Sequence, residues 1–149
     1  MYNTILVPLD GSKRAEAILS HVEEMARKLG GRIVLLSCIE QEFVYAGDLE
    51  ISAIVHKDED KMQQGKTAKS YLKEVQTKLE QQGIVVSTRI MQGPPVEAIL
   101  TVATQENADL IAIASHGRSG LGRVFYGSVA AGILQRVDRP LLIIRAQEG

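Results

Sequence analysis

The chain has no tryptophan, one cysteine and four prolines in its 149 residues. A single cysteine excludes an internal disulfide framework and any metal site built from several cysteines. Four tyrosines and two phenylalanines are the only aromatic side chains. That scarcity disfavours a flavin carrier, whose ring stacks on aromatic surface. Neither sign of charge dominates: seventeen Lys and Arg face eighteen Asp and Glu, for a formal net charge of −1. The balance disfavours a nucleic-acid glove or a polybasic membrane patch. No apolar run approaches the ~20 residues that a membrane helix needs. The opening Met1-Tyr2-Asn3-Thr4-Ile5-Leu6-Val7-Pro8 lacks the basic-then-apolar order of a signal peptide. The expectation is a cytoplasmic protein forming one domain over residues 1–149, with no nucleic-acid or membrane partner.

Familiar phosphate signatures are missing too. No G-x-G-x-x-G follows the first apolar run. Gly65-Lys66-Thr67 looks like the end of a phosphate loop, but the glycine required five positions earlier is Asp60. A response-regulator site needs an aspartate after the third strand, where the chain has Gln92-Gly93-Pro94. His21 and His56 have no partners at metal-ligand spacing, so no protein metal site is expected.

What remains is a regular alternation. Hydrophobic residues make up 45% and charged residues 23%, the composition of a globular domain. Ile5-Leu6-Val7 reads as a strand ending at Pro8, and Ser12 as a helix N-cap. Ala15, Ile18, Leu19, Val22, Met25, Ala26 and Leu29 form one helical stripe. Gly30-Gly31 ends that stripe as a left-handed C-cap would. Ile33 to Leu36 is a second strand, followed by a long connection over 40–56. A helix carrying Met62, Gly65, Ala68, Leu72, Val75 and Leu79 comes next. Ile84 to Met91 is a third strand, and Pro94 or Pro95 opens a helix with Val96, Ile99, Leu100 and Ala103. Leu110 to Ala114 is a fourth strand, a helix starts near Ser128, and Leu141 to Ile144 is a fifth strand.

Strands alternating with helices predict a doubly wound, open parallel α/β sheet with helices on both faces. Ser87, Thr88 and Arg89 interrupt the third strand and mark it as an edge. The fifth strand is wholly apolar, yet this fold also puts it at an edge. An apolar edge invites pairing with another chain, so a homodimer through Leu141, Leu142, Ile143 and Ile144 is expected. In Phe43, Val44, Tyr45, Leu49 and Ile51 the long connection carries apolar residues for either a flap over a cleft or a cover over the core.

Ligands of open parallel sheets lie beyond the carboxyl ends of the strands, where the strand order reverses. Leu9-Asp10-Gly11-Ser12 follows strand one. Ser115-His116-Gly117-Arg118-Ser119-Gly120-Leu121-Gly122 follows strand four, and Gly127-Ser128 opens a helix. Glycines admit close backbone approach, and a helix N-terminus suits phosphate. Arg118 and Arg123 add positive charge to the same loop. The chemistry points to a nucleotide or another phosphorylated ligand. Each residue also has a plainer reading. Asp10 is a good turn residue, Ser128 a good N-cap, Cys38 a small buried residue, and His116 a solvated loop residue.

Ile5-Leu6-Val7-Pro8-Leu9-Asp10-Gly11-Ser12 resembles the opening of the universal stress protein family. Ala114-Ser115-His116-Gly117-Arg118-Ser119-Gly120 with Gly127-Ser128-Val129-Ala130 resembles that family's nucleotide loop. Arg139-Pro140-Leu141-Leu142-Ile143-Ile144 resembles its closing strand. The nucleotide-binding branch carries G-x2-G-x9-G-[ST]. Gly117, residues 118–126, Gly127 and Ser128 fit its second half, while its first glycine is Ala114 here. The resemblance implies the adenine nucleotide alpha hydrolase-like fold with strand order 3-2-1-4-5 and dimerisation through strand five. It implies ATP or AMP as ligand, with Mg²⁺ or Mn²⁺ held by the phosphates of a triphosphate. By the same resemblance Pro8, Leu9 and Asp10 lie along the adenosine half and the Cys38 backbone meets the adenine. Gly117, Arg118, Gly127, Ser128 and Val129 surround the phosphates, and Ala114 and His116 belong to the same nucleotide site. No catalytic residue is assigned. The expected role is a stress-response sensor or regulator with slow hydrolysis or none; a true ATPase or phosphotransferase and a nucleotide-free interaction module are the alternatives.

Overall fold

A computed structural model describes residues 2–39, 65, 67–116 and 127–146. The elements run β1 (Thr4–Pro8), α1 (Lys13–Glu16), α2 (Leu19–Leu29), β2 (Arg32–Ile39), α3 (67–80), β3 (Val86–Gln92), α4 (Pro95–Gln105), β4 (Leu110–His116), α5 (Gly127–Arg136) and β5 (Leu141–Ala146). The strands form one sheet of five in the order β3-β2-β1-β4-β5, with every pairing parallel. The order reverses between β1 and β4.

Strand side chains alternate between faces, and the apolar strands supply two cores. Ile5, Val7, Ile33 and Leu35 meet Ile18, Val22, Leu72, Val75 and Leu79 from α2, α3 and the turn before α2. Leu6, Val34, Leu36, Ile111 and Ile113 meet Ile99, Val102 and Ile133 from α4 and α5. Each fully buried aliphatic side chain contributes about 1.5–3 kcal/mol relative to an exposed one. The central strand β1 is buried at every residue. The expected edge, β3, is half-buried along most of its length. Arg89 leaves β3 to bond Glu106 and Gln105 at the end of α4.

Three local features differ from, or sharpen, the sequence reading. The stripe over 15–29 is divided into α1 and α2 at Ala17 and Ile18. Their amides bond three residues back, to Arg14 and Ala15. The stripe survives because both residues keep right-handed helical angles. The third strand starts at Val86; Ile84 is buried from the turn, whereas Val85 is exposed. Its burial, not strand pairing, made Ile84 look like strand. Gly30 does take the left-handed conformation, at φ 72°. Gly31 serves a close approach instead, since a Cβ there would lie 2.5 Å from the Tyr2 carbonyl oxygen. The connection over 40–56, its apolar residues, and Met62 lie outside the described residues.

Candidate functional site

Parallel neighbours end at the same sheet edge, so the carboxyl ends of β1, β2 and β4 adjoin one another. Pro8 ends β1 without an amide to offer, and Leu9 continues the line by donating its amide to Leu36 O at 2.8 Å. Both are buried. β2 outlasts β1: Pro8 pairs with Leu36, and Ser37, Cys38 and Ile39 reach beyond it. Cys38 is half-buried on the α4 side, opposite Met91. Ala114 is buried near the end of β4 and His116 ends that strand.

Asp10 sits where the chain leaves β1. Its Oδ1 accepts from the Ser12 amide at 2.9 Å and from the Ser12 hydroxyl. Ser12 Oγ in turn accepts from the Ala15 amide at 3.1 Å, capping α1 as the sequence predicts. Asp10 Oδ2 accepts from Arg14 Nη2 at 2.9 Å. Partial burial raises the Asp10 pKa, but the two Ser12 hydrogen bonds and the Arg14 charge outweigh it. The carboxyl is held below the ordinary aspartate value.

Sequence reasoning does not single out Arg14. Its Nη1 donates to Ala114 O at 3.2 Å, which ties the β1 turn to the end of β4. The detectable signal is the i,i+4 spacing from Asp10, a helix ion-pair distance. The second partner, a backbone carbonyl a hundred residues away, has no sequence signature. Tyr71 and Glu16 escape sequence reasoning as well: Tyr71 Oη donates to Glu16 Oε2 at 2.8 Å, fastening α3 to α1.

α5 follows β4 and leads to the start of β5, so its N-terminus opens at the same edge. Gly127 is its first residue, Ser128 is exposed and Val129 is half-buried against the α4–α5 core. The first amides of a helix have no carbonyl partner within it and suit an anion. Gly117 and Arg118 lie outside the described residues, as does the rest of 117–126. The structure therefore gathers Pro8, Leu9, Asp10, Cys38, Ala114 and the backbone of His116 at one edge, joined by the start of α5. Among the described residues no group of three or more His, Cys, Asp or Glu is placed to hold a metal ion.

The Ala114 methyl points into the core beneath α1 and α2, with Ile5, Val7 and Ala15. Its φ is not positive. The extra carbon relative to glycine is thus accommodated by packing in that core.

A sequence model of the universal stress protein family matches residues 1–145. The chain belongs to the universal stress protein family. Universal stress protein MJ0577 of Methanocaldococcus jannaschii is 28% identical over 97% of this chain and 96% of its own length. The solved structure of MJ0577 superposes with a TM-score of 0.83 at 29% identity, covering 100% of this chain and 99% of that one. A universal stress protein solved in complex with cAMP has a TM-score of 0.65 at 21% identity, covering 98% of both chains. The universal stress protein from Archaeoglobus fulgidus in complex with dAMP gives 0.66 at 20% identity, covering 96% of this chain and 98% of that one. Those last two likenesses establish the shared fold.

Proposed function

We propose that this universal stress protein binds an adenine nucleotide of the ATP or AMP type between the β1 turn and the β4 loop, and reports nucleotide state in a cytoplasmic stress response. The observation that carries the reading is the reversal of strand order at β1 and β4, with the Asp10 carboxylate on one lip and the α5 N-terminus opening beside the other. Asp10 serves the ribose hydroxyls. The Cys38 backbone meets the base. His116, Gly117, Arg118, Gly127, Ser128 and Val129 surround the phosphates, which carry Mg²⁺ or Mn²⁺ when a triphosphate is bound. The cAMP- and dAMP-bound relatives support an adenine ligand on this fold. The core-facing methyl of Ala114 supports it despite the lost motif glycine.

The role is binding, with hydrolysis very slow or absent. Hydrolysis needs a group poised to orient water near the γ-phosphate. The carboxylates beside the β1 turn are already engaged: Asp10 by Ser12 and Arg14, Glu16 by Tyr71. The half-buried β5 edge, Leu141 to Ile144, pairs with a second copy and makes the protein a homodimer.

Denaturing the freshly purified protein and identifying released small molecules by chromatography and mass tests the reading. An adenine nucleotide is expected with the wild type and not with Asp10→Ala. No nucleotide from the wild type, together with no thermal shift at millimolar ATP or AMP, contradicts it.

A further inference from the structure

β4 runs on past its pairing with β1. Their register covers Ile5↔Leu110 and Leu6↔Ile111, whereas β4 stays paired with β5 as far as His116↔Ala146. Strand backbone groups alternate sides residue by residue, and the Ile111 amide donates to Pro140 O on the β5 side. Ala114, three residues on, therefore turns its carbonyl to the β1 side, where the strand register has ended. A buried carbonyl left without a donor is costly. Arg14 Nη1 supplies that donor, while Nη2 of the same planar group holds Asp10 Oδ2. One guanidinium spans the point where the strand order reverses.

The two partners differ in depth. The Arg14 side chain is 20% exposed and that of Asp10 57%. The cation is the more buried partner and the carboxylate the more exposed one. A carboxylate oxygen accepts about two hydrogen bonds. Oδ1 already takes two from Ser12, whereas Oδ2 takes one from Arg14. Among the described residues, the oxygen with the fewer side-chain and neighbouring-amide donors is Oδ2, the one that Arg14 holds.

We infer that Arg14 is a positioning residue for the crevice: it fixes the separation of the Asp10 carboxylate from the β4 backbone and aims Oδ2 at a ligand hydroxyl, such as those of a ribose. This rests on the nucleotide reading above. Lysine in its place keeps the charge but lacks the planar fork whose two nitrogens hold the two acceptors at once.

The test compares wild type, Arg14→Met and Arg14→Lys for ATP and AMP affinity across pH, with thermal unfolding of each variant as the control for folding. Arg14→Met is expected to weaken binding on the order of tenfold and to shift the acid limb of binding to higher pH. The groups facing Asp10 among the described residues are Arg14 and Ser12 beside it and Tyr71 from α3, whose hydroxyl is held by Glu16. Arg14 is the only cation among them, so its loss removes the charge contribution that lowers the carboxyl, while the Ser12 hydrogen bonds remain. Arg14→Lys is expected to restore the acid limb and not the affinity; it also carries the test if Arg14→Met fails to fold. A wild type that binds while both variants match it in affinity and acid limb overturns this inference alone. A wild type that binds neither nucleotide overturns the functional reading, and the inference with it.

Discussion

The Tyr71 hydroxyl donates to Glu16 Oε2 at 2.8 Å, joining α3 to the short helix that follows Asp10. Burial of the ring, the Glu16 carboxylate and the more distant Asp10 charge all disfavour the phenolate. The Tyr71 pKa is therefore raised above the ordinary tyrosine value. A raised pKa in the folded state means that this contribution is intact below about pH 10 and is lost as pH climbs toward the folded value. Tyr71→Phe should cost about 1 kcal/mol at pH 7, lowering Tm by roughly 2–4 °C. The gap should narrow above about pH 10. Thermal unfolding of both proteins at the two pH values checks it.

Glu106 behaves in the opposite sense. Arg89 Nη1 reaches its Oε1 at 3.0 Å and Arg32 Nη2 its Oε2 at 3.1 Å, so its carboxyl is held below the ordinary glutamate value. That contribution is present above about pH 4.3 and fades as pH falls through the lowered folded value. Glu106→Gln should lower Tm at pH 7 by roughly 2–3 °C. The two melting curves should converge as pH falls below the ordinary glutamate range. Convergence toward alkaline pH instead would contradict the assignment.

The paired glycines after α2 should respond differently to alanine. Gly30 is left-handed at φ 72° with open space around it, so Gly30→Ala should cost about 1–2 kcal/mol from the backbone alone. At Gly31 a methyl would meet the Tyr2 carbonyl oxygen at 2.5 Å and its Asn3 neighbour at 3.3 Å. Neither backbone atom can turn aside, so the start of β1 must shift. Gly31→Ala should be the more damaging of the two, at about 3 kcal/mol. Denaturant midpoints of the two variants decide the order.

Arg139 explains one of the family-like stretches of the sequence. Its Nη1 donates to Ala103 O and Ala108 O, both at 2.8 Å, and its Nη2 to Thr104 Oγ1 at 3.3 Å. The side chain closes the end of α4, far from the crevice, and is 16% exposed. Arg139→Met should cost about 2–3 kcal/mol of stability and leave nucleotide affinity unchanged. A selective loss of affinity would contradict this purely structural role.

These particulars show what the sequence carries. Apolar runs at β1, β2 and β4 reveal burial on both faces, and the Ser-Thr-Arg interruption reveals the β3 edge, because hydrophobic pattern reports burial directly. The Gly30 C-cap is legible because few residues accept that conformation. Ser12 and Asp10 are legible because their hydrogen bonds are local. Arg14 bound to Ala114, Tyr71 bound to Glu16 and Arg139 bound to the end of α4 are not legible. Each joins segments far apart in the chain, through polar atoms that leave no period. The break at Ala17 and Ile18 is hidden because helical angles persist across it. Gly117 and Arg118, assigned to the phosphates by resemblance, lie outside the described residues.

The central claim is that the carboxyl edge of the sheet beside Asp10 takes an adenine nucleotide. Calorimetric titration of the nucleotide-stripped protein with ATP and with AMP, run alongside Asp10→Ala, tests that claim most directly. Saturable binding of at least one nucleotide by the wild type is predicted, weakened in Asp10→Ala. At a ligand concentration about a hundredfold above Kd, Tm should rise by several degrees, the equivalent of about 2.7 kcal/mol. No heat and no Tm shift at millimolar ATP and AMP, in a protein that unfolds cooperatively, would contradict it.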